Sequence, residues 1–288
     1  MKNIPTSTQG IAIVTGASSG IGAAFARHLA AAAAEVEHFK GLPLFDELWL
    51  VARRQDRLTS LAEELQNTYS EPKSQADRKL LIRTFPLDLV QAGSIDTLAN
   101  RCRETGKPLR LLINNAGYGS YGPFAEISLE KQLGEIDLNC RALTESCGKF
   151  FPFLQEGSLV INVASLAAFA PLGDFAVYAA TKAYVFSLSV ALATEWESRG
   201  IRVHALCPGP VQSEFALVAS DGVRQEVAGG YSAEKTTYRC LKAAAKGKVY
   251  SIPRWNWRIQ RLASILVGPL ASARFARQFL KRPYKQGE

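Results

Sequence analysis

The strongest constraint on the fold is a series of short, nearly continuous apolar runs separated by segments long enough for helices. The runs cover residues 11–14, 48–51, 80–82, 111–113, 159–161, 201–205 and 248–252. Strands without polar alternation are typical of a parallel sheet that helices cover on both faces. Right-handed crossovers make such a sheet a doubly wound, Rossmann-type α/β fold. The sequence therefore predicts one such domain over residues 1–253, followed by a basic, amphipathic C-terminal extension over residues 254–288.

The distribution of charge argues against a nucleic-acid partner. The net charge is +8, but residues 254–288 contain eight Lys or Arg and one acidic residue, whereas the first 253 residues contain 26 basic and 25 acidic ones. A nearly neutral body offers no basic face to a phosphate backbone. The positive charge therefore belongs to the C-terminal extension.

Cysteine and histidine usage indicates a reducing compartment and no metal site. The five cysteines lack CxxC spacing, so we expect free thiols and a cytoplasmic protein. The three histidines are dispersed, and His204 is expected to be a core residue of its strand. No secretory segment and no run of 18 apolar residues is present, so we expect no leader and no spanning helix.

A glycine-rich turn follows the first predicted strand and opens a helix. Gly16, Gly20 and Gly22 have the spacing GxxxGxG. Glycines let the backbone turn sharply and approach a pyrophosphate, while the helix N-terminus supplies free N–H groups. We predict that this turn, with Ser18, Ser19 and Ile21, binds a dinucleotide; the alternative is a strand-to-helix turn without a ligand.

The end of the second predicted strand bears on which dinucleotide binds. An NAD-dependent enzyme usually has Asp or Glu there, to accept hydrogen bonds from the ribose 2′-hydroxyl. This chain has Arg53 and Arg54 instead. An arginine can bind a 2′-phosphate bidentately, so NADP(H) is the predicted cofactor. The alternative is that these arginines only begin the next helix in solvent.

Ser165, Tyr178 and Lys182 are spaced as x12 and x3, and they are the candidate catalytic residues. Tyr178 and Lys182 share a helix face if the segment is helical. The ordinary pKa of tyrosine, about 10, is too high for a general base near neutrality. We expect the Lys182 ammonium, together with an oxidised nicotinamide, to lower the pKa of Tyr178. Tyr178 would exchange a proton with an alcohol or ketone, while Ser165 holds its oxygen.

Together with Asn114-Asn115-Ala116-Gly117, these motifs resemble the short-chain dehydrogenase/reductase family, from about Gly10 to Pro253. The resemblance implies that Lys182 also holds the nicotinamide ribose and that Asn139 anchors a water-mediated proton relay to it. It implies that Asp88 contacts the adenine, although Asp88 could equally be a helix cap or loop acid. Further residues implied to bind the cofactor are Asn115, Ala116, Gly117, Pro208, Gly209, Val211 and Ser213; the last four could instead form a plain turn.

The expected activity is NADP(H)-dependent interconversion of a ketone and a secondary alcohol. The substrate pocket should lie beyond the carboxyl ends of the strands, with walls at residues 118–124, 166–174 and 215–231. One wall is expected to be apolar, which favours an acyl, steroid-like or aliphatic substrate; its residues are Ala167, Ala168, Phe169, Ala170 and Leu172. The protein is expected to be a homodimer or homotetramer. The alternatives are a catalytically idle NADP(H) sensor or scaffold and a membrane-peripheral lipid ketone reductase.

The C-terminal extension is predicted to form two helices separated at Gly268-Pro269. Trp255, Ile259, Leu262, Leu266 and Leu270 form one apolar stripe, and Phe275, Phe279 and Leu280 form a second, each opposite basic residues. Three interpretations remain open: packing on the body or on a neighbouring subunit, a lid or subunit contact, and an anionic membrane surface. Residues 35–47 and 70–79 are predicted to be surface insertions.

Overall fold

Seven parallel strands form a single sheet in the computed structural model of the chain, which describes residues 10–35, 39–69, 80–225, 229–280 and 282–285. The strands are β1 (Ile11–Thr15), β2 (Glu47–Ala52), β3 (Leu81–Pro86), β4 (Leu109–Asn114), β5 (Leu154–Val163), β6 (Arg202–Leu206) and β7 (Tyr250–Ser251). The α-helices are α1 (Gly20–Ala33), α2 (Gln55–Tyr69), α3 (Ser94–Thr105), α4 (Leu129–Ile136), α5 (Leu143–Phe150), α6 (Ala176–Glu195), α7 (Phe215–Ala219), α8 (Ala233–Ala245), α9 (Trp255–Val267) and α10 (Pro269–Phe279). The predicted doubly wound α/β fold is confirmed.

The strand order β3-β2-β1-β4-β5-β6-β7 creates a crevice next to β1. The chain builds outward from β1 to β3 and then returns to pair β4 with the other side of β1. Loops after β1 and β4 consequently diverge at the carboxyl ends of adjacent strands, which is where open α/β sheets bind ligands. The residues of β1, β2 and β4 are all buried, because helices cover both faces of the sheet.

The two edge strands depart from the prediction. β3 extends to Pro86, four residues beyond the predicted run, and several of its side chains are exposed because only one neighbour covers it. β7 is reduced to Tyr250–Ser251 from the predicted 248–252. His204 joins β6 to this edge: its Nδ1 lies 2.6 Å from the Lys248 carbonyl and its Nε2 2.8 Å from Ser251 Oγ. The prediction of a core histidine is confirmed, and burial lowers its pKa to about 4.

The first predicted insertion is partly built into the core. Phe39 and Phe45 are buried, and the Phe39 ring packs against Tyr238 with centroids 5.3 Å apart. The prediction of a surface insertion is therefore wrong for these two residues, because their rings join a buried cluster that includes residues of α1 and α8. Residues 36–38 and the second predicted insertion, 70–79, lie outside the described residues.

The helix α6 is long and apolar enough, by length and composition, to cross a membrane. It packs against β5 and β6 and carries buried Tyr178 and Lys182 on one face, while 33% of its apolar window is buried. All five cysteines are free thiols, as predicted. The described residues contain no cluster of His, Cys, Asp or Glu suited to a metal ion.

Candidate active site

A large cavity of about 1270 Å³ opens at the carboxyl ends of the strands. It exceeds the roughly 300–1,000 Å³ of an ordinary ligand pocket, which leaves room for a dinucleotide and a second molecule. Every predicted cofactor-binding residue except Gly22 lines it. Ser165, Tyr178 and Lys182 line the same cavity, so the fold brings together segments far apart in sequence.

The glycine turn leaves space in the cavity because its glycines carry no side chains. Neighbouring groups lie too close for a side chain at these positions. A Cβ at Gly16 would lie 2.8 Å from Asn115 Nδ2, and φ at Gly16 is +65°. Gly22 packs beneath the turn against the Gly16 carbonyl, which explains why it does not reach the cavity. Asn115 Nδ2 donates to the carbonyls of Thr15 and Gly16 at 2.9 and 3.2 Å, and so fixes the turn against the end of β4.

The N-terminus of α1 retains donors for an anion. Ser19 is its N-cap, and the Ser19 side chain accepts no capping hydrogen bond. Backbone N–H groups at such an end are oriented towards a ligand and carry the positive end of the helix dipole. The space at the glycine turn and these donors together fit the pyrophosphate of a dinucleotide.

The two arginines after β2 differ in how they are held. The Arg54 guanidinium donates to Ser18 Oγ at 3.0 Å and pairs with Glu214 at 2.8 Å. Arg53 is mostly exposed and comes no closer than 4.0 Å to the Asp88 carboxylate. Arg54 is therefore engaged by protein groups, whereas the Arg53 contact is weak enough to exchange for a ligand. Asp88 also accepts the Val90 N–H at 3.1 Å, so the alternative of a loop acid describes part of its role.

Tyr178 and Lys182 meet on α6 beside the end of β5. The Lys182 ammonium donates to the Val163 carbonyl at 2.8 Å and lies 5.6 Å from the centroid of the Tyr178 ring. That ring stacks on Phe175 with centroids 4.3 Å apart. The Ser165 hydroxyl lies beside the Tyr178 phenol and acts to lower its pKa, and Ser165 Oγ accepts the Ala167 N–H at 3.1 Å. Ring packing therefore fixes the position of Tyr178, and hydrogen bonds fix those of Ser165 and Lys182.

Asn139 lies behind the cavity rather than in its wall. It belongs to a π-helical segment, Asp137–Ala142, that joins α4 to α5. Its Nδ2 donates to the Tyr118 carbonyl at 2.8 Å, and its Oδ1 accepts the Tyr118 N–H at 3.1 Å. A Cβ at Gly117 would lie 2.7 Å from Asn139 Oδ1 and 3.4 Å from Lys182 Nζ. Gly117 therefore lets Asn139 and Lys182 come close together.

The pKa values differ from the expectation in direction. Burial raises the pKa of the Tyr178 phenol, and the neighbouring Ser165 hydroxyl opposes this only in part. The protein's own groups therefore do not produce the expected lowering of the Tyr178 pKa, which also included the charge of an oxidised nicotinamide. Burial also lowers the pKa of Lys182 to about 8.

The loop after β6 closes one side of the cavity. The Pro208 carbonyl accepts the Leu166 N–H at 2.7 Å, which ties the loop to the segment that carries Ser165. A Cβ at Gly20 would lie 2.7 Å from Ser213 Cβ, so the loop also contacts the glycine turn. Pro208, Gly209, Val211 and Ser213 all face the cavity.

The predicted substrate walls contribute Tyr121, Leu172, Phe215 and other residues of all three segments. Ala168 and Phe169 do not line the cavity, contrary to the prediction. Phe169 instead packs against Phe186, with centroids 4.8 Å apart. A short 3₁₀ turn over Leu166–Phe169 directs these side chains away from the cavity.

Sequence reasoning missed the face of the extension that lines the cavity. Trp257, Arg261 and Ser264, spaced i, i+4, i+7, line it. Trp257 is 3% exposed, and a Cβ at Gly209 would lie 2.5 Å from its ring. The predicted apolar stripe instead faces solvent, so packing of that stripe on the body of this chain is excluded. The sequence contained a signal for this cavity-lining face, because Trp257, Arg261 and Ser264 have the same helical spacing as residues of the apolar stripe.

Glu135 is a second residue that the sequence did not single out. It is buried on α4, one helical turn before Asn139, and burial raises its pKa to about 7. Its charge opposes ionisation of Tyr178 and favours the ammonium form of Lys182. In the sequence, Glu135 is one polar residue of an amphipathic helix, and nothing in that pattern indicates its effect on the ionisation of Tyr178 and Lys182.

Comparison with known proteins agrees with this fold. The family model for short chain dehydrogenases matches residues 10–222. Sulfoacetaldehyde reductase 2 of Chromohalobacter salexigens is 30% identical over 216 residues, covering 74% of this chain and 77% of that protein. A short-chain dehydrogenase from Sphingobium yanoikuyae in complex with NADPH superposes with a TM-score of 0.72 and 27% identity, covering 89% of this chain and 93% of that one.

A second solved structure, the bulky-bulky ketone specific alcohol dehydrogenase from Comamonas testosteroni, gives a TM-score of 0.67 and 29% identity, covering 90% of this chain and 94% of that one. The chain belongs to the short-chain dehydrogenase family. It is accordingly an oxidoreductase that interconverts alcohols and carbonyl compounds with a nicotinamide cofactor.

Proposed function

We propose that the protein is an NADP(H)-dependent reductase of hydrophobic ketones, and the corresponding secondary-alcohol dehydrogenase. The observation that carries the proposal is the meeting of Ser165, Tyr178 and Lys182 in one cavity with the glycine turn. A nicotinamide cofactor, when bound, supplies or accepts the hydride. The chain's own residues have to orient the substrate and move the proton.

Each of the catalytic residues has a distinct task in this proposal. Ser165 donates a hydrogen bond to the substrate oxygen and fixes its position. Tyr178 gives its phenolic proton to that oxygen as the carbonyl carbon is reduced, or takes it back in the reverse direction. Lys182 compensates the charge left on the phenolate and holds the ribose. Asn139, close to Lys182 across Gly117, positions the relay that returns a proton to the site.

The protonation state of Tyr178 favours ketone reduction. A raised pKa keeps the phenol protonated near neutral pH, which is the form that donates a proton. Lys182, with a pKa of about 8, still carries its ammonium at that pH. Reduction can therefore begin without a prior proton transfer, whereas alcohol oxidation first requires loss of the Tyr178 proton.

Preference for NADP(H) is supported by charge at the adenosine end of the cavity. Arg53 and Arg54 follow β2 directly and both line the cavity. They stand where an enzyme that prefers NAD usually has an aspartate or glutamate. Arg53 is available for a 2′-phosphate because its own ion pair is long. The NADPH bound to the Sphingobium yanoikuyae relative supports the same choice.

An apolar substrate is supported by the rings and aliphatic side chains near Tyr178. Phe175 stacks on Tyr178, and the Phe215 ring lies with its centroid 5.2 Å from that of Tyr178. Leu172 and Val218 extend this wall. Burying such a surface against an apolar substrate contributes about 25 cal/mol per Å². The ketone specificity named for the Comamonas testosteroni relative is in keeping with this class.

The remaining proposals concern the setting of the enzyme. We assign residues 1–253 to the catalytic domain and residues 254–288 to an extension that forms a lid over the substrate. We also propose a cytoplasmic homodimer or homotetramer. The lid proposal is supported by Trp257 and Arg261, which line the cavity from α9.

The test is a panel of ketones and alcohols of increasing apolar bulk, assayed with NADPH and NADH separately through the nicotinamide absorbance. We expect reduction with NADPH, with kcat/KM rising as the substrate becomes more apolar. Binding of NADPH without turnover of any substrate would favour the idle sensor or scaffold. Faster turnover with NADH would refute the assigned cofactor.

A further inference from the structure

An uncovered apolar surface lies on the outer side of α9. Trp255, Ile259, Leu262 and Leu266, which we call the outer face, are spaced i, i+4, i+7, i+11 and so share one side of the helix. They are between 54% and 87% exposed. Leu270, at the start of α10, extends the same surface. Soluble monomers rarely expose so many large apolar side chains together.

The opposite side of α9 is what holds the helix in place. Trp257 inserts between the Gly209 backbone and the Tyr231 ring. The centroids of the Trp257 and Tyr231 rings are 5.7 Å apart. The Arg261 guanidinium lies 4.8 Å from the centroid of the Phe169 ring, and Ser264 Oγ lies 3.4 Å from the Phe169 carbonyl. These contacts fix the orientation of the helix, so the outer face cannot turn inward without losing them. The exposure of the outer face is therefore fixed by the packing of the opposite side of α9.

The charge of the extension is of one sign. Residues 254–285 contain no Asp or Glu, and their basic residues are Arg254, Arg258, Arg261, Arg274, Arg277, Lys281, Arg282 and Lys285. Carboxylates of the body contact this segment: Asp174 lies 3.8 Å from Arg277, and Glu126 accepts the Tyr284 hydroxyl at 2.7 Å. A surface that combines apolar side chains with positive charge is complementary to one that combines apolar and anionic groups.

The outer face is continuous with the mouth of the cavity. Val267, Phe275, Phe279 and Leu280 are exposed and also line the cavity. The Phe275 and Phe279 rings contact each other in a tilted arrangement, with centroids 4.9 Å apart. Exposed apolar side chains therefore extend from the neighbourhood of the outer face to the mouth of the cavity.

We propose that the outer face docks the protein on a bilayer surface that contains anionic lipids. Apolar side chains of an amphipathic helix bury in the boundary between headgroups and acyl chains, tryptophan is favoured at that depth, and flanking arginines attract anionic headgroups. A second copy of this chain is the poorer occupant. Pairing two outer faces would bring together two extensions that each carry an excess of positive charge, which repel.

This docking goes beyond the proposed reaction and does not require it. It gives a reason for the position of the cavity mouth, because an apolar ketone dissolved in the bilayer would meet it directly. A homo-oligomer, if formed, would use other surfaces of the molecule. Binding to vesicles can be measured on the full chain without any substrate or turnover.

The experiment is sedimentation of the full-length protein with phosphatidylcholine vesicles, with and without phosphatidylglycerol. We expect binding to the mixed vesicles and at least tenfold weaker binding to phosphatidylcholine alone. Binding should weaken with added salt, since the Debye length falls from about 10 Å at 0.1 M to about 3 Å at 1 M. Absence of binding to the mixed vesicles would overturn the proposal.

Two matched variants distinguish binding through the outer face from nonspecific binding through any exposed apolar side chain. Leu262 and Leu44 are 57% and 58% exposed, but only Leu262 belongs to the outer face. Leu262→Glu should weaken vesicle binding at least tenfold, whereas Leu44→Glu should leave it unchanged. Leu266→Glu, at a still more exposed position, repeats the test, and near-ultraviolet circular dichroism verifies that each variant is folded.

Two further results would overturn the proposal. Equal loss of binding in Leu262→Glu and Leu44→Glu would show that the outer face is not the site. An assembly that Leu262→Glu dissociates in sedimentation velocity, with no vesicle binding by the original chain, would assign the outer face to a second copy instead.

Discussion

Replacing Tyr178 with Phe tests the proposed chemistry with little structural disturbance. The substitution removes one hydroxyl and keeps the ring, so stacking on Phe175 and contact with Phe215 remain. Ser165 keeps its hydrogen bonds with the Ala167 N–H and the Pro208 carbonyl. Even the loss of one further hydrogen bond would cost only about 0.5–1.5 kcal/mol of stability.

The expected loss of activity is much larger than this change in stability. A positioned acid–base group contributes about 10²–10⁴-fold, or about 3–5 kcal/mol of transition-state free energy. We therefore expect kcat for ketone reduction to fall by at least about 10²-fold. Affinity for NADPH should stay nearly unchanged, because the phenol supplies little of the cofactor contact.

The control for Tyr178→Phe is Tyr184→Phe on the same helix. The Tyr184 hydroxyl lies 2.7 Å from Thr144 Oγ1 and outside the cavity, so its loss should leave kcat unchanged. Steady-state rates give kcat, titration of protein fluorescence gives the NADPH dissociation constant, and thermal melting reports stability. Retention of more than about a tenth of kcat in Tyr178→Phe would refute the proton-donor role.

Three further predictions follow from particular contacts. Arg53→Asp should lower the NADPH-over-NADH ratio of kcat/KM by at least about tenfold, since a charge-assisted contact contributes about 1.5–3 kcal/mol; an unchanged ratio would move the role to Arg54. Burial lowers the pKa of Lys182 to about 8, so its ammonium is present below that pH and lost above it. The kcat/KM for reduction should therefore fall as the pH rises through about 8, and a flat profile would contradict this role. Trp257→Ala should undock α9, because truncating a buried aromatic ring costs about 3–5 kcal/mol. The KM for bulky ketones should then rise while that for small ketones changes little; Trp255→Ala, at an exposed position of the same helix, is the control, and an equal KM in both variants would exclude the lid.

Local patterns in the sequence were sufficient for the sheet and for most of the cavity lining. Continuous apolar runs and the spacing of Gly16, Gly20 and Gly22 reflect rules that act over a few residues: burial on both faces and backbone freedom in a turn. Parallel strands carry their loops to one edge, and the turn, Tyr178 and Lys182 accordingly line one cavity; the expectation that they share a cofactor came from the resemblance to the family. The edge strands were predicted less well, because lateral pairing is not encoded in a strand's own residues.

The orientation of α9 and the electrostatics of Tyr178 were decided only by the tertiary structure. The helical spacing fits both Trp255 with Leu262 and Trp257 with Ser264, and the Gly209 backbone, distant in sequence, selects the second pair as the inner one. Likewise, the Tyr-x3-Lys spacing indicates a charge near a phenol but not how much solvent surrounds them. Burial raises the pKa of Tyr178 because desolvation depends on everything packed around a group, and no short stretch of sequence records that.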